Sequence, residues 1–153
     1  MRPLLIMLLF TTACRPDTHN TGNPILSAVD SFTKKDLRAY GAILFVPSQG
    51  CSGCISGIED FLLNDYVLNG KKGLLFIVTG HTSKKTARNR LGELALNNPD
   101  VFFDYTHQFD KPPFMQEYPK VIFLRNGEVE SIADINPGTS GDLYKKLVTK
   151  EKL

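Results

Sequence analysis

A chain of 153 residues has room for one domain and can bury a real core. Its 42% hydrophobic and 22% charged residues are the balance of a soluble globular protein, with ten Phe and no Trp to build that core. A formal charge of only +2 gives no bulk electrostatic reason to expect nucleic acid as a partner, and three cysteines are too few for a disulfide-stapled mini-scaffold.

Met1 and Arg2 give a short positive start, and Leu4 to Phe10 is an unbroken apolar run. Thr11-Thr12-Ala13-Cys14 follows, with a small residue just before the cysteine. The run is too short to span a bilayer as a mature helix, so residues 1–13 read as a signal peptide. Its end resembles the lipobox of bacterial lipoproteins, although Thr11 stands where that motif usually has Leu. The resemblance implies cleavage before Cys14 and lipidation of Cys14, several acyl chains on one cysteine making a stable anchor. A plain secretory signal with a free Cys14 is the alternative. Residues 14–23 are polar, contain Pro16 and Gly22, and show no periodicity, as a flexible tether would. The folded domain is then 24–153.

From Pro24 to about Arg38 the apolar residues Ile25, Leu26, Val29, Phe32 and Leu37 suit a short amphipathic helix that Thr33 and Lys34 can split in two. Ala42 to Val46, bounded by Gly41 and Pro47, is a buried strand. After Cys51, the residues Ile55, Ile58, Phe61, Leu62 and Tyr66 mark one face of a helix closed by Asn69-Gly70. Leu74 to Val78 is a second buried strand. Ser83 caps a helix with Ala87, Leu91, Leu94 and Ala95 on its apolar face, which Asn97-Asn98-Pro99 stops. Val101 to Tyr105 is a shorter third strand. Asn126-Gly127 joins Val121–Leu124 to Val129–Ala133 as a β-hairpin, both turn residues tolerating positive φ. Thr139 or Ser140 caps a last helix whose charges suit the helix dipole, Asp142 early and Lys145, Lys146 and Lys150 late. Strands alternating with helices predict an α/β sandwich with a mainly parallel central sheet and an antiparallel C-terminal hairpin.

The pair Cys51-Ser52-Gly53-Cys54 falls where a buried strand meets the start of a helix, inside a βαβ unit. A helix N-terminus offers unpaired N–H groups and a partial positive charge, both of which stabilise a thiolate at Cys51. Cys54 lies one turn on, near the row of Ile58 and Leu62, so it is the more buried sulfur and the one that can resolve a mixed disulfide. The strand AILFV, CSGC opening a helix, the strand LLFIV, and Tyr118-Pro119 entering the hairpin VIFLRNGEVESI together resemble the thioredoxin-like superfamily, especially its membrane-tethered bacterial oxidoreductases and lipoproteins. The resemblance implies a thioredoxin-like three-layer sandwich and a cis-proline at Pro119 beside the cysteines. It also implies that Tyr118 and Pro119 bind the substrate chain. Three departures stand out: Gly50 replaces a common Trp, Ser52-Gly53 lacks the common Pro, and no acid lies in 42–46.

The function so implied is thiol–disulfide exchange by Cys51 and Cys54 on exported proteins, without a cofactor. It would take place in the bacterial cell envelope, facing the periplasm or the exterior. An oxidising compartment would require a membrane-spanning electron donor for sustained reduction. Two alternatives use the same scaffold. One is a copper-binding or delivery protein, with His81 or His107 beside the cysteines. The other is a redox-silent envelope scaffold. The cluster Lys84, Lys85, Arg88 and Arg90 reads as a solvated helix face or a contact for anionic head groups, and Asp104, Asp110 and Glu117 show no paired-carboxylate logic. No Gly-rich phosphate loop is present.

Overall fold

The computed structural model describes residues 22–114 and 117–150, so the expected signal peptide, Cys14 and nearly all of the tether lie outside the described residues. Helix α1 (Pro24–Thr33) starts with proline at its first position, and the Asn23 side chain accepts the Ile25 and Leu26 N–H groups. It stops at Lys34, whose φ of 56° turns the chain away toward a 3-10 turn at Leu37–Ala39. Strands β1 (Ala42–Val46) and β2 (Leu74–Thr79) are buried throughout. Between them α2 (Ser52–Asp60) runs directly into a π-helical stretch, Phe61–Val67. Helix α3 (Lys84–Leu96) opens on a reciprocal cap between Ser83 and Thr86. Strands β3 (Val101–Asp104), β4 (Lys120–Arg125) and β5 (Glu128–Asp134) follow, then α4 (Ser140–Lys150). Asn126 and Gly127, at φ 54° and 81°, make the two-residue hairpin turn between β4 and β5.

The sheet order is β3-β2-β1-β4-β5. β1–β2 and β2–β3 are parallel, whereas β1–β4 and β4–β5 are antiparallel. The parallel half is therefore β3-β2-β1, and antiparallel pairing reaches inward to β1 as well as joining the hairpin. Alternation along β1 divides the core. Ala42, Leu44 and Val46 pack with Ile58, Leu62, Leu91 and Leu147 on one face; Ile43 and Phe45 pack with Leu26, Val29 and Phe109 on the other. The result is a three-layer α/β sandwich with the thioredoxin-like arrangement of a βαβ unit, an antiparallel hairpin and a closing helix.

The crossovers β1-α2-β2 and β2-α3-β3 step the same way across the sheet, and α2 and α3 pack on the same face. The chain then has to return from the β3 edge to β4 across the opposite face. The described parts of this connector, 105–114 and 117–119, form no regular element, and they lay Phe109 and Phe114 against Phe45, and Phe109 also against Phe32 of α1.

In α3 the residues Ala87, Leu91 and Ala95 are buried, but Leu94, expected on the same face, is 63% exposed. Gly92 lies between them with φ 77° and ψ 171°, and this break in the helix changes the direction in which the next side chains point. The basic cluster on α3 is only partly a free face. Arg88 pairs with Glu93 at 2.5 Å and Arg90 with Glu59 of α2 at 2.7 Å.

Asp104 ends β3 fully buried. Its carboxylate accepts from Thr79 Oγ1 (3.2 Å), the Phe109 N–H (2.8 Å), and the Thr106 N–H (3.1 Å) and Oγ1 (2.8 Å). Burial by itself pushes this carboxyl up, but the bonds from Phe109, Thr106, Gln108 and Thr79 outweigh it and hold the pKa below the ordinary value. A depressed folded-state value adds stability that is present above the unfolded pKa and lost as pH falls through the folded one. Asp104→Ala is expected to cost about 3 kcal/mol in urea unfolding at pH 7, because it strands the buried Thr79 hydroxyl and Phe109 N–H. Below about pH 4 the gap between wild type and Asp104→Asn should narrow as the wild-type carboxylate protonates.

Candidate active site

β1 ends at Val46 and delivers Pro47 to Gly50 to the end of the sheet where β2 also finishes. Ser48 Oγ donates to the Gly80 carbonyl at 2.9 Å, tying the two strand-end loops together. Arg90 bonds the Ser48 carbonyl at 3.3 Å through Nη1 while its Nε meets Glu59, so one guanidinium joins the loop, α2 and α3. Burial raises the Glu59 carboxyl above its ordinary value, and the pull of Arg90 in the other direction does not fully offset it.

Cys51 stands at the N-cap of α2 and is disulfide-bonded to Cys54, with their Cα atoms 5.3 Å apart. The Cys51 sulfur accepts the Cys54 N–H at 3.3 Å, the contact that Ser or Asp makes at an ordinary N-cap. The Cys51 carbonyl accepts from the Ile55 N–H at 2.9 Å and starts the helix ladder. Cys51 is half-buried, whereas Cys54 is only 6% exposed and is followed by Ile55 and Ile58 pointing into the core. The outer sulfur therefore belongs to the cap and the inner one to the packed face.

The strand-entry segment reaches the same place. Glu117 accepts the Cys51 N–H on its carbonyl at 3.1 Å, with Tyr118 half-exposed and Pro119 buried just beyond it. The Pro119 carbonyl accepts from Ile135 at 2.8 Å. The geometry thus brings Cys51, Cys54, Tyr118 and Pro119 to one end of the sheet. The expected cis bond at Pro119 is not found: the cis peptide among the described residues joins Pro112 to Pro113, and the Tyr118–Pro119 junction enters β4 without one.

Gly50 explains why Trp is missing there. Its φ is +125°, and a Cβ at this position would come 2.2 Å from the Glu117 carbonyl oxygen. The space a larger side chain would use is occupied by backbone, which no sequence pattern within 47–54 announces.

The two histidines do not join the pair. His81 is buried, its Nε2 lacks a partner among the described residues, and burial followed by the nearby Arg90 charge lowers its pKa. His107 is exposed and pairs with Asp110 at 3.1 Å. Among the described residues no three His, Cys, Asp or Glu side chains converge as metal ligands.

No family model matches the chain, and no curated protein matches its sequence. Among solved structures, the solution structure of a candidate thioredoxin from Neisseria meningitidis is similar. The identity is 22%, the match covers 76% of this chain and 79% of that one, and the TM-score is 0.47. The fold assignment rests on this chain's own strand order and on the helix that its cysteine pair opens.

Gly50→Ala is expected to destabilise the protein by about 2–4 kcal/mol, since it combines a strained φ with a clash against backbone. Urea denaturation checks the size. Amide exchange at Cys51 should also accelerate, because its N–H loses the Glu117 carbonyl.

Proposed function

We propose that the protein is a thiol–disulfide oxidoreductase acting on exported proteins in the bacterial cell envelope. The observation that carries this reading is the Cys51–Cys54 disulfide, with the half-buried Cys51 sulfur at the N-cap of α2 and Cys54 enclosed behind it. In the reduced protein, the Cys54 N–H and the partial positive charge of the helix end favour a thiolate on Cys51. That thiolate attacks one sulfur of a substrate disulfide, forming a mixed disulfide and releasing the other sulfur as a thiolate. Cys54, having lost its proton to solvent, then attacks the Cys51 sulfur. The Cys51–Cys54 bond forms and the second substrate sulfur leaves, so two electrons pass from protein to substrate. The reverse sequence oxidises a dithiol. Tyr118 and Pro119, beside Cys51 through the Glu117 contact, line the path of the substrate chain.

The export signal and Cys14 extend the reading to location, with lipidated Cys14 as the anchor, the domain facing the periplasm or the exterior, and a membrane-spanning electron donor supplying reductant. Among the described residues no helix is long and apolar enough to cross a membrane.

Cys54→Ala should accumulate mixed disulfides between Cys51 and partner proteins on non-reducing gels, and Cys51→Ala should not. Equal patterns in both variants would overturn the assignment of nucleophile and resolver; adducts in neither would overturn the enzymatic reading. Cys14→Ser should move the protein from the membrane to the soluble fraction, and retention in the membrane would remove the lipid anchor from the proposal.

A further inference from the structure

The stretch from Pro47 to Ile58, which surrounds both sulfurs, contains no charged side chain. Arg90, which bonds the Ser48 carbonyl, is paired with Glu59, and Lys120, opposite Phe45 in the sheet, with Asp134 at 2.6 Å. Against this uncharged surface the fold fixes one acidic residue. The Glu117 carbonyl is bonded to the Cys51 N–H, and its Cα stands 3.7 Å from the point where a Cβ of Gly50 would be. Its side chain is exposed. Backbone contact of this kind places the Glu117 side chain on the order of 10 Å from the Cys51 sulfur. That separation is comparable with the Debye length of about 8–10 Å at moderate salt, so the charge is felt by whatever approaches the sulfur.

We infer that Glu117 is a specificity-determining residue for the exchange reaction, selecting disulfide partners whose cysteines are flanked by Lys or Arg over those flanked by acidic residues. The inference rests on the proposed oxidoreductase reading and names the substrate class of that same site. The selection acts at the first step, where the Cys51 thiolate attacks the partner disulfide and one partner thiolate leaves. A positive group beside the attacked sulfur is drawn toward Glu117 and a negative one is repelled. Each effect amounts to about two- to threefold in rate at a water-like permittivity. The same carboxylate does not change which bond breaks, and the Cys54 resolving step follows as before.

The test uses the reduced full-length chain and two small disulfides of opposite charge, cystamine and 3,3′-dithiodipropionate. Oxidation is followed by acid quench and mass mapping of the peptide that carries Cys51 and Cys54. At low ionic strength the ratio of cystamine to dithiodipropionate rates should fall about fivefold in Glu117→Gln and further in Glu117→Lys. In about 1 M salt the wild type and both variants should converge. An unchanged ratio across the three proteins at low salt overturns the role of Glu117 while leaving the oxidoreductase reading intact. A wild-type protein that reacts with neither disulfide overturns both.

Discussion

The path of the chain after β3 is the constraint on which the rest of this structure depends. Strands β1, β2 and β3 are laid down in one direction with both crossover helices on one face, so the opposite face is left to α1 and to whatever brings the chain back. Among the described residues no helix makes the return: 105–114 and 117–119 are irregular, and an irregular segment over a core needs its backbone polar groups satisfied locally. Asp104 provides this at the start, collecting the N–H groups of Thr106 and Phe109 on a carboxylate that is itself sealed from water. Phe109 and Phe114 then supply the apolar cover, and the end of the connector arrives at Cys51. One buried carboxylate thus anchors the start of the segment that closes the second face.

A second polar anchor works at the opposite end of the sheet. Asp100 accepts the Tyr40 hydroxyl at 2.8 Å and has the Tyr66 hydroxyl at 3.1 Å, while Tyr66 also reaches the Leu74 carbonyl at 2.8 Å. Tyr40 belongs to one side of the core and Tyr66 to the other, so a single carboxylate links the two layers across the sheet. Burial, reinforced by the Asp100 charge, keeps both phenols protonated well above the ordinary tyrosine range. The sheet is thereby pinned at both ends by acids with satisfied hydrogen bonds, and the loops carrying the cysteines sit over the end that also holds Arg90 and Asp104.

Much of this was legible because it is local. AILFV and LLFIV are too apolar and too short to be anything but buried strands, and β1 spans the residues its pattern picked out. Asn-Gly marks the hairpin because a turn with two positive φ values matches the strand twist. The cysteine pair lies at the strand–helix junction where the flanking patterns placed it. What could not be read depends on contacts between distant segments or on backbone geometry. Leu94 fits a helical face by spacing, but Gly92 leaves the helical region and takes that spacing away. Asp104 and Glu117 look like scattered acids, since their roles come from Phe109 on one side and Cys51 on the other. Arg90 looks like one charge in a solvated run until Glu59 and Ser48 are brought to it by two other elements.

Gly50 shows why the local motif understates the site. As a residue before a cysteine pair it reads only as a missing aromatic, a loss of apolar surface beside the sulfur. In the fold it is a requirement, because the Glu117 backbone takes the volume that a side chain would fill and leaves the Cys51 N–H with a carbonyl partner. That changes the electrostatics at Cys51. The Cys51 amide is spent on Glu117, so the donor left to the sulfur is the Cys54 N–H of the first helical turn. The helix end therefore carries the stabilisation of negative charge at Cys51, with an exposed acidic side chain anchored next to it. On the proposed reading, reactivity and selectivity at this sulfur would be set by two different elements, α2 through its first N–H groups and the connector through Glu117, which meet because residue 50 has no side chain.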